Sequence, residues 1–216
     1  GPGGPDTRST YENAIELGRK LPHGPHHFAA YWGWWRTAPN FKEMHERANK
    51  ISTQVAIKED DQLRLQAHHC QWATLFMLGN QRACCAHISD GLQIYENGDY
   101  RSHGVLYGGH DPKVCGLGEK GLSLWLLGYP EQSLQAANSS LKFAESLQHT
   151  GSIGHGRDIE IMVHRYRGDP TTVLSRAETM SAFAQQTGSH DLAAKAKIFR
   201  GWALSWLGEA DDGVRL

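Results

Sequence analysis

The feature that most limits how this chain can fold is a glycine that returns at regular spacing between stretches of helical apolar periodicity. The intervals are 49, 40 and 40 residues, between Gly79, Gly128, Gly168 and Gly208. A recurring period of this length is typical of repeat proteins, whose units bury their apolar faces by stacking on their neighbours. The sequence therefore predicts a row of similar units.

Each unit is predicted to consist of two helices joined by a tight turn. The glycine suits the C-terminal end of a helix, and Pro130 and Pro170 follow their glycines by two residues, where the next helix can begin. Apolar residues such as Leu122, Trp125 and Tyr129 recur at helical intervals, and strand-like alternation is nearly absent. These patterns predict an all-α fold, a tetratricopeptide-like superhelix of about four to five helix pairs.

The turns place the two helices of each pair in the sequence. The first helices are predicted at about 25–37, 61–78, 112–127, 152–167 and 190–207. The second helices are predicted at about 40–58, 81–96, 131–148 and 171–187, after a helical fragment at about 8–20. The longer first interval leaves residues 97–111 as a long loop outside the helical register. Long loops often carry function, so Tyr107, His110 and Asp111 are candidate ligand-binding residues.

The two ends of the chain differ from the repeats between them. Residues 1–5 resemble the remnant of a cleaved tag and a linker, so residues 6–216 are predicted to form one tetratricopeptide-like domain. The chain ends shortly after Gly208, where the second helix of the last pair should begin. An incomplete pair leaves an apolar face uncovered, which indicates a fragment of a larger protein.

Composition argues against several classes of protein. The 22 Lys and Arg residues nearly balance the 23 Asp and Glu residues, so the chain lacks the basic excess of a nucleic-acid-binding protein. No apolar run approaches the roughly 18 to 20 residues needed to span a bilayer. The four cysteines are too few and too clustered to form the framework of a small secreted protein. We therefore expect a cytoplasmic protein without nucleic-acid or membrane partners.

One segment carries a family resemblance. Residues 125–134 (Trp-Leu-Leu-Gly-Tyr-Pro-Glu-Gln-Ser-Leu), preceded by residues 107–112 (Tyr-Gly-Gly-His-Asp-Pro), resemble a signature in the C-terminal helical repeats of bacterial multidomain signalling proteins. Residues 31–35 and 200–203 are similar to the same region. In such proteins a class III adenylate or guanylate cyclase domain is followed by a P-loop ATPase module and then by the repeats. The resemblance implies that catalysis and nucleotide binding lie upstream and that this segment is regulatory.

Residues 116–121 (Gly-Leu-Gly-Glu-Lys-Gly) match the dinucleotide-binding fingerprint, but that motif requires a preceding strand and a βαβ unit. The helical pattern around them predicts instead that these glycines let helices pack closely. No segment matches the P-loop pattern, and no spacing singles out a nucleophile with its base and an orienting third group. The sequence therefore predicts that this segment is not an enzyme and binds no cofactor.

Histidines and cysteines occur on both helices of one predicted pair. The spacing allows His69 or Cys70 on the first helix to lie near Cys84 or His87 on the second, at metal-ligand distance. Zinc sites usually carry ligand pairs about two to four residues apart on a turn, and this turn carries none. Small buried cysteines and partly exposed histidines are the simpler interpretation, so we expect no metal site.

The ends of the first helices form the candidate partner-binding groove. In a stack of helix pairs the first helices line the concave side, and the position three residues before each turn glycine should repeat there. This position holds Phe76, Trp125, Arg165 and Ser205, with Tyr129 and Asp169 close to the same line. Trp34, Trp35 and Arg36 close another first helix. Trp, Tyr and Arg are favoured hot-spot residues, although core packing also explains many tryptophans at such places.

Three functions are compatible with such a groove. The leading hypothesis is a protein-interaction and regulatory domain that binds a partner protein or peptide, or the upstream domains of its own protein. One alternative is a small-ligand sensor, in which the 97–111 loop encloses a metabolite pocket. Another is an oligomerisation module that stacks on a second copy of the chain. An open aromatic groove favours the interaction domain, and a closed polar pocket favours the sensor.

Overall fold

A computed structural model describes residues 4–18, 25–56 and 60–215 of the chain. Over these ranges the protein is helical and contains no β-strand, which confirms the all-α prediction. The helices are α1 (Pro5–Gly18), α2 (Pro25–Arg36), α3 (Phe41–Ala56), α4 (Asp61–Met77), α5 (Gln81–Tyr95), α6 (His103–Leu106), α7 (Pro112–Leu126), α8 (Pro130–Leu147), α9 (Thr150–Tyr166), α10 (Pro170–Thr187), α11 (His190–Trp206) and α12 (Ala210–Val214).

The predicted helices are present, with boundaries within a few residues of those expected from the turns. The predicted helix ends at 19–20 and 57–58 lie outside the described residues. The exception is the 97–111 loop, which contains the short helix α6. His103 and Tyr107 lie one turn apart there, joined by a hydrogen bond of 2.9 Å from the Tyr107 N–H to the His103 carbonyl. Both side chains are buried, and a helical turn lets them face the same core.

The glycine turns share one backbone geometry, which explains the repeat. Values of φ from 68° to 94° occur at Gly79, Gly128, Gly168, Gly188 and Gly208. This left-handed region costs glycine little. The Gly128 N–H donates to the Trp125 carbonyl at 3.0 Å, and the Tyr129 N–H donates to the Leu124 carbonyl at 2.9 Å. This pair of hydrogen bonds satisfies the last carbonyls of α7 and directs the chain into α8.

The chain separates into two compact units, Gly1–Pro112 and Lys113–Leu216, named here the N-terminal unit and the C-terminal unit. In an array of repeats each helix pair contacts mainly its neighbours, so compact subdivisions are expected. The prediction of one domain over residues 6–216 stays a prediction.

Buried tryptophans form the centre of the N-terminal unit. Trp35 and Trp72 are 1% and 0% exposed, and Ile51 is buried in the same unit. Trp35 donates its indole N–H to Oγ1 of Thr74 at 2.9 Å, which joins α2 to α4. The structure therefore places Trp35 in the core instead of on the predicted groove. The indole finds both apolar contact and a hydrogen-bond acceptor there.

Glycines allow the helices of the C-terminal unit to approach closely. A Cβ added at Gly118 would lie 2.4 Å from Cδ1 of Ile159 on α9. A Cβ added at Gly121 would lie 3.0 Å from the Ser133 carbonyl oxygen on α8. Residues 116–121 thus lie within α7, and Gly118 and Gly121 serve close packing, as the sequence predicts.

Two further observations concern the described part of the chain as a whole. Among its helices, none combines the length and the apolarity that crossing a membrane requires. The four cysteines are not joined by disulfide bonds.

Candidate interaction surface

The residues predicted to line a binding groove lie at the C-terminal ends of the first helices. In the C-terminal unit, Trp125 on α7 is half-buried and Arg165 on α9 is exposed. Their backbone carbonyls accept the N–H of the turn glycines at 3.0 and 3.1 Å, so the turns fix their positions. Tyr129, just beyond its turn, is 49% exposed. In the N-terminal unit, Phe76 holds the corresponding place on α4 and is half-buried. Their role in binding stays a prediction.

The two other members of the predicted line have local structural contacts. Asp169 caps α10 by accepting the Thr172 N–H at 3.0 Å, and hydrogen bonds from Thr172 lower the pKa of this carboxyl. Ser205 is exposed and donates its hydroxyl to the Gly201 carbonyl at 2.9 Å. Both side chains are reachable from solvent, but each already contacts its own helix.

Sequence reasoning missed a position of the repeat at which exposed apolar residues recur. Two residues before their turn glycines, Met77, Leu126 and Trp206 are 51%, 54% and 64% exposed. Tyr166 occupies the same place on α9 and is half-buried. The sequence does carry a signal, because an apolar or aromatic residue holds this position in all four repeats. Exposed single apolar residues are common, however, so only the structure shows which of them adjoin a groove.

The C-terminal unit carries an open groove of about 570 Å³ at α11 and α12, named the terminal groove. It is lined by Ala194, Lys197, Ile198, Gly201, Trp202, Ser205, Trp206 and Gly213. Ile198, Trp202 and Trp206 are spaced by four residues, so they form one stripe along α11. Ile198 is 65% exposed, and the two indole rings lie 5.4 Å apart between centroids.

A contact between two glycines forms one wall of the terminal groove. A Cβ added at Gly201 on α11 would lie 2.7 Å from the Gly213 carbonyl oxygen, and a Cβ added at Gly213 would lie 2.6 Å from the Gly201 carbonyl oxygen. The backbones of α11 and α12 are therefore in direct contact beside the apolar stripe. Contiguous exposed apolar surface of this kind marks sites of protein contact.

Trp34 lines a different groove, in the N-terminal unit. The Arg47 guanidinium lies over its ring, 4.4 Å from the centroid, and Lys50 Nζ lies 5.8 Å away. The groove measures about 290 Å³ and also includes Glu12. Charged side chains thus surround the ring on a mixed surface. Arg36, the third residue predicted at this helix end, is exposed.

Tyr107 connects the 97–111 segment to the core of the N-terminal unit. It is 3% exposed, and its ring meets that of Phe28 edge-on with centroids 5.8 Å apart. The ring of Trp32 lies 6.5 Å away on the same side of the core. Tyr107 therefore packs as a core residue. The sensor hypothesis instead requires its side chain to face a ligand.

Asp111 and His110 have structural surroundings as well. Asp111 is 2% exposed and accepts a hydrogen bond of 2.8 Å from the Tyr95 hydroxyl. His110 is half-buried, with its ring centroid 5.7 Å from that of His69. The buried carboxylate of Asp111 is thus engaged in holding α5, which weakens the case for a ligand pocket beneath the segment.

Gln66 is the centre of a buried hydrogen-bond network in the N-terminal unit. The Trp32 indole N–H, which can only donate, contacts Gln66 Oε1 at 3.1 Å. This fixes the amide, so Gln66 Nε2 donates to Nδ1 of His103 at 2.9 Å and that nitrogen carries no proton. Nδ1 of His69 donates to the same Oε1 at 3.2 Å. Burial lowers the pKa of His103 to about 4, in agreement with the neutral imidazole that the network requires.

The side chains weighed as metal ligands fall into two groups. His69 and Cys70 are buried, and the His69 ring stacks on Trp72 with centroids 4.7 Å apart. Burial lowers the pKa of His69 and raises that of the Cys70 thiol, so both are neutral near pH 7. His68, in contrast, is half-buried, and its Nδ1 lies 3.1 Å from Nδ1 of His87. His68, and not the predicted His69, therefore faces His87.

Comparison with known proteins gives a sequence relative and several similar folds. No protein-family model matches the chain. The chain is 34% identical over 198 residues to an uncharacterized protein of Rhizobium meliloti (strain 1021). That match covers 91% of this chain and 19% of the relative, so the chain spans about a fifth of the length of that protein.

The similar structures include proteins with tetratricopeptide-like repeats. BtubC (BKLC) from P. vanneervenii has a TM-score of 0.68 at 11% identity, over 97% of this chain and 86% of that one. A kinesin light chain protein of Podosopora anserina with nearly identical TPR-like repeats has a TM-score of 0.59 at 11% identity, over 96% and 92% of the chains. These similarities confirm the tetratricopeptide-like repeat fold. At this identity they concern the fold alone.

Proposed function

We propose that this chain is a protein-interaction and regulatory domain of a multidomain signalling protein of the cyclase and ATPase kind. The observation that carries the proposal is the tetratricopeptide-like repeat fold. We propose the terminal groove, where Ile198, Trp202 and Trp206 form an accessible apolar stripe, as the binding surface. Helical repeats characteristically present extended surfaces to other proteins. Tryptophan is also among the residue types that contribute most to protein binding.

The sequence relative supports a place within a longer protein. Because the chain spans 19% of the Rhizobium meliloti protein, about four-fifths of that protein is available for other domains. The resemblance of residues 125–134 to the repeat tails of cyclase and ATPase proteins supplies the kind of parent protein that we propose.

We propose the upstream domains of the same protein as the partner, binding through an apolar helix or an extended segment. Lys197 is exposed at the terminal groove and favours an acidic residue beside the apolar anchor of that segment. The near balance of charge on the whole chain gives no support to a nucleic-acid partner. A cytoplasmic location agrees with this function.

We propose further that the segment itself is not an enzyme. The strongly shifted histidines, such as His69 and His103, are buried in the network around Gln66. Their hydrogen bonds go to protein groups, and burial separates them from solvent. Perturbed pKa values of this kind occur in structural networks as well as in active sites.

Calorimetric titration of this chain with the purified upstream part of the natural protein tests the proposal. The chain is compared with Ile198→Asp and Trp206→Ser, which place polar groups in the terminal groove. Each is expected to weaken binding by about tenfold or more, because loss of a central apolar anchor costs more than about 1.4 kcal/mol. Val105→Asp is the matched control, since Val105 is 79% exposed in the N-terminal unit.

The control variant should bind like the parent chain. Equal affinity of all four proteins would contradict the terminal groove as the binding site. Sedimentation of the chain alone gives the second arm of the experiment. If the parent chain self-associates and Ile198→Asp makes it monomeric without affecting the upstream part, the oligomerisation alternative replaces our proposal.

A further inference from the structure

Two imidazoles face each other across the α4 and α5 pair of the N-terminal unit. Nδ1 of His68 lies 3.1 Å from Nδ1 of His87, and the ring centroids are 5.2 Å apart. Both side chains are half-buried, so solutes can reach them from solvent. The proposed interaction function makes no use of this pair.

A glycine brings the two helices close enough for this contact. A Cβ added at Gly91 on α5 would lie 2.6 Å from Cζ3 of Trp72 and 3.3 Å from Cβ of His68. Because Gly91 has no side chain, α4 can approach α5 closely at this point. His87 lies one turn before Gly91 on the same face of α5, so its ring meets that of His68.

An open groove adjoins the His68 ring, and a carboxylate follows His87 on α5. Asp90 follows His87 by three residues on α5, and with His68 it lines a groove of about 370 Å³. Arg64 lines the same groove, but its guanidinium forms an ion pair of 2.7 Å with Asp61. The positive charge of Arg64 is therefore partly balanced, and the Asp90 side chain is exposed to solvent.

Both imidazoles are neutral near pH 7. Burial lowers the pKa of His68, and the neighbouring His87 and Arg64 also lower it, against the opposing effect of Asp90. Burial likewise lowers the pKa of His87, again against Asp90. A neutral imidazole keeps an unshared electron pair on one nitrogen, which is the form that binds metal ions.

We propose that His68 and His87 bind a divalent transition metal ion such as Zn²⁺, and that the exposed carboxylate of Asp90 turns toward the ion as a third ligand. In this structure the Asp90 oxygens are not within ligand distance of the two nitrogens, so binding requires the Asp90 side chain to change rotamer. Two nitrogens that bind one tetrahedral zinc at about 2.0 to 2.1 Å lie about 3.3 Å from each other. The observed separation of 3.1 Å between the Nδ1 atoms is close to that value. Two imidazoles and one carboxylate form a known type of zinc ligand set, with water in the fourth position.

The metal-free pair has a defined protonation pattern. Because both rings are neutral, one carries its proton on Nδ1 and donates it to Nδ1 of the other. When the ion binds both Nδ1 atoms, that proton transfers to Nε2 of its own ring, and no proton is released from the pair. Metal binding at this site therefore changes the tautomer of one imidazole, whereas an ion bound elsewhere leaves both tautomers unchanged.

A zinc titration of the full chain against a chromophoric chelator tests the proposal. The chain has 13 histidines, so the starting protein carries Gln in place of His23, His26 and His27, which are clustered in the sequence. Its zinc binding is compared with that of His68→Gln and His87→Gln. We expect each variant to lose one equivalent of bound zinc. His190→Gln, at an exposed histidine of α11, is the control and should keep it.

Long-range ¹H–¹⁵N spectra of the imidazoles give a second measurement on the parent protein, which does not depend on the folding of a variant. Zinc is expected to move both Nδ1 resonances, of His68 and His87, to the range of metal-bound nitrogen. Asp90→Asn should weaken the binding without abolishing these shifts. Unchanged Nδ1 resonances at saturating zinc, or full zinc binding by both His68→Gln and His87→Gln, would overturn the proposal.

Discussion

The hydroxyl of Tyr95 donates a hydrogen bond of 2.8 Å to the carboxylate of Asp111, and the two residues are only 8% and 2% exposed. Tyr95 is the last residue of α5, and Asp111 immediately precedes α7. This hydrogen bond therefore joins the end of α5 to the start of α7, across the segment between them. Burial, followed by the nearby carboxylate, raises the pKa of the Tyr95 hydroxyl, which stays protonated and remains a donor at all ordinary pH values.

Tyr95→Phe removes this donor and leaves a buried carboxylate with one hydrogen bond fewer. We expect the free energy of unfolding to fall by about 1.5 to 3 kcal/mol, the usual contribution of a hydrogen bond to a charged group. Hydrogen exchange should accelerate in residues 97–111 more than elsewhere. Tyr129→Phe, at an exposed tyrosine, should leave the urea midpoint unchanged. Equal midpoints for Tyr95→Phe and the parent would contradict this assignment.

The tryptophans are expected to divide into two classes of mutational effect. Trp35→Ala removes a side chain that is 1% exposed and should destabilise the protein by about 3 to 5 kcal/mol. Trp206→Ala removes one that is 64% exposed and should change stability by no more than about 0.5 kcal/mol. Denaturant unfolding followed by circular dichroism measures both. A similar loss in the two variants would show that Trp206 is packed in solution.

The residues predicted to line a groove at the ends of the first helices can be tested separately from the terminal groove. We expect Trp125→Ala and Arg165→Ala to keep the melting temperature but to weaken capture of the upstream domains by more than about 1 kcal/mol each. Trp125 is half-buried and Arg165 is exposed, so neither is expected to be essential for folding. If Trp125→Ala merely melts the domain while Arg165→Ala captures the partner normally, these residues do not form the binding site.

The stability of the chain should depend on pH through His103. Its pKa is about 4 in the folded protein and about 6.5 in the unfolded chain, so the unfolded chain takes up the proton first as the pH falls. The stabilising effect is fully present above pH 6.5 and is lost between pH 6.5 and about 4. By linkage the loss reaches up to about 3 kcal/mol, at roughly 1.4 kcal/mol per pKa unit.

Unfolding by urea at pH 7, 6 and 5 measures this dependence. His103→Asn keeps an acceptor for Gln66 but removes the titrating ring, so stability should fall less steeply with decreasing pH. His190→Asn, at an exposed histidine, should retain the slope of the parent chain. Identical slopes for His103→Asn and the parent would mean that His103 does not remain neutral in the folded protein.

The sequence by itself determined the repeat and the helices. The turn at Gly128 shows why, because its hydrogen bonds join Trp125 to Gly128 and Leu124 to Tyr129, within six consecutive residues. A glycine at the helix end and a proline two residues later are local signals, and a local hydrogen-bond pattern follows from them. The same applies to the apolar periodicity, which depends only on residues within a few turns of each other.

The tertiary structure alone decided which side chains are buried and which meet. Trp35 and Thr74 are 39 residues apart in sequence, so no local pattern indicates that the indole of Trp35 is buried against that hydroxyl. A helix also turns by about 100° per residue. A step of one residue around the axis of α4 therefore separates His68, which faces His87, from His69, which is buried in the core. Sequence periodicity specifies the phase of a helix only approximately, because packing between helices fixes the final rotation of each.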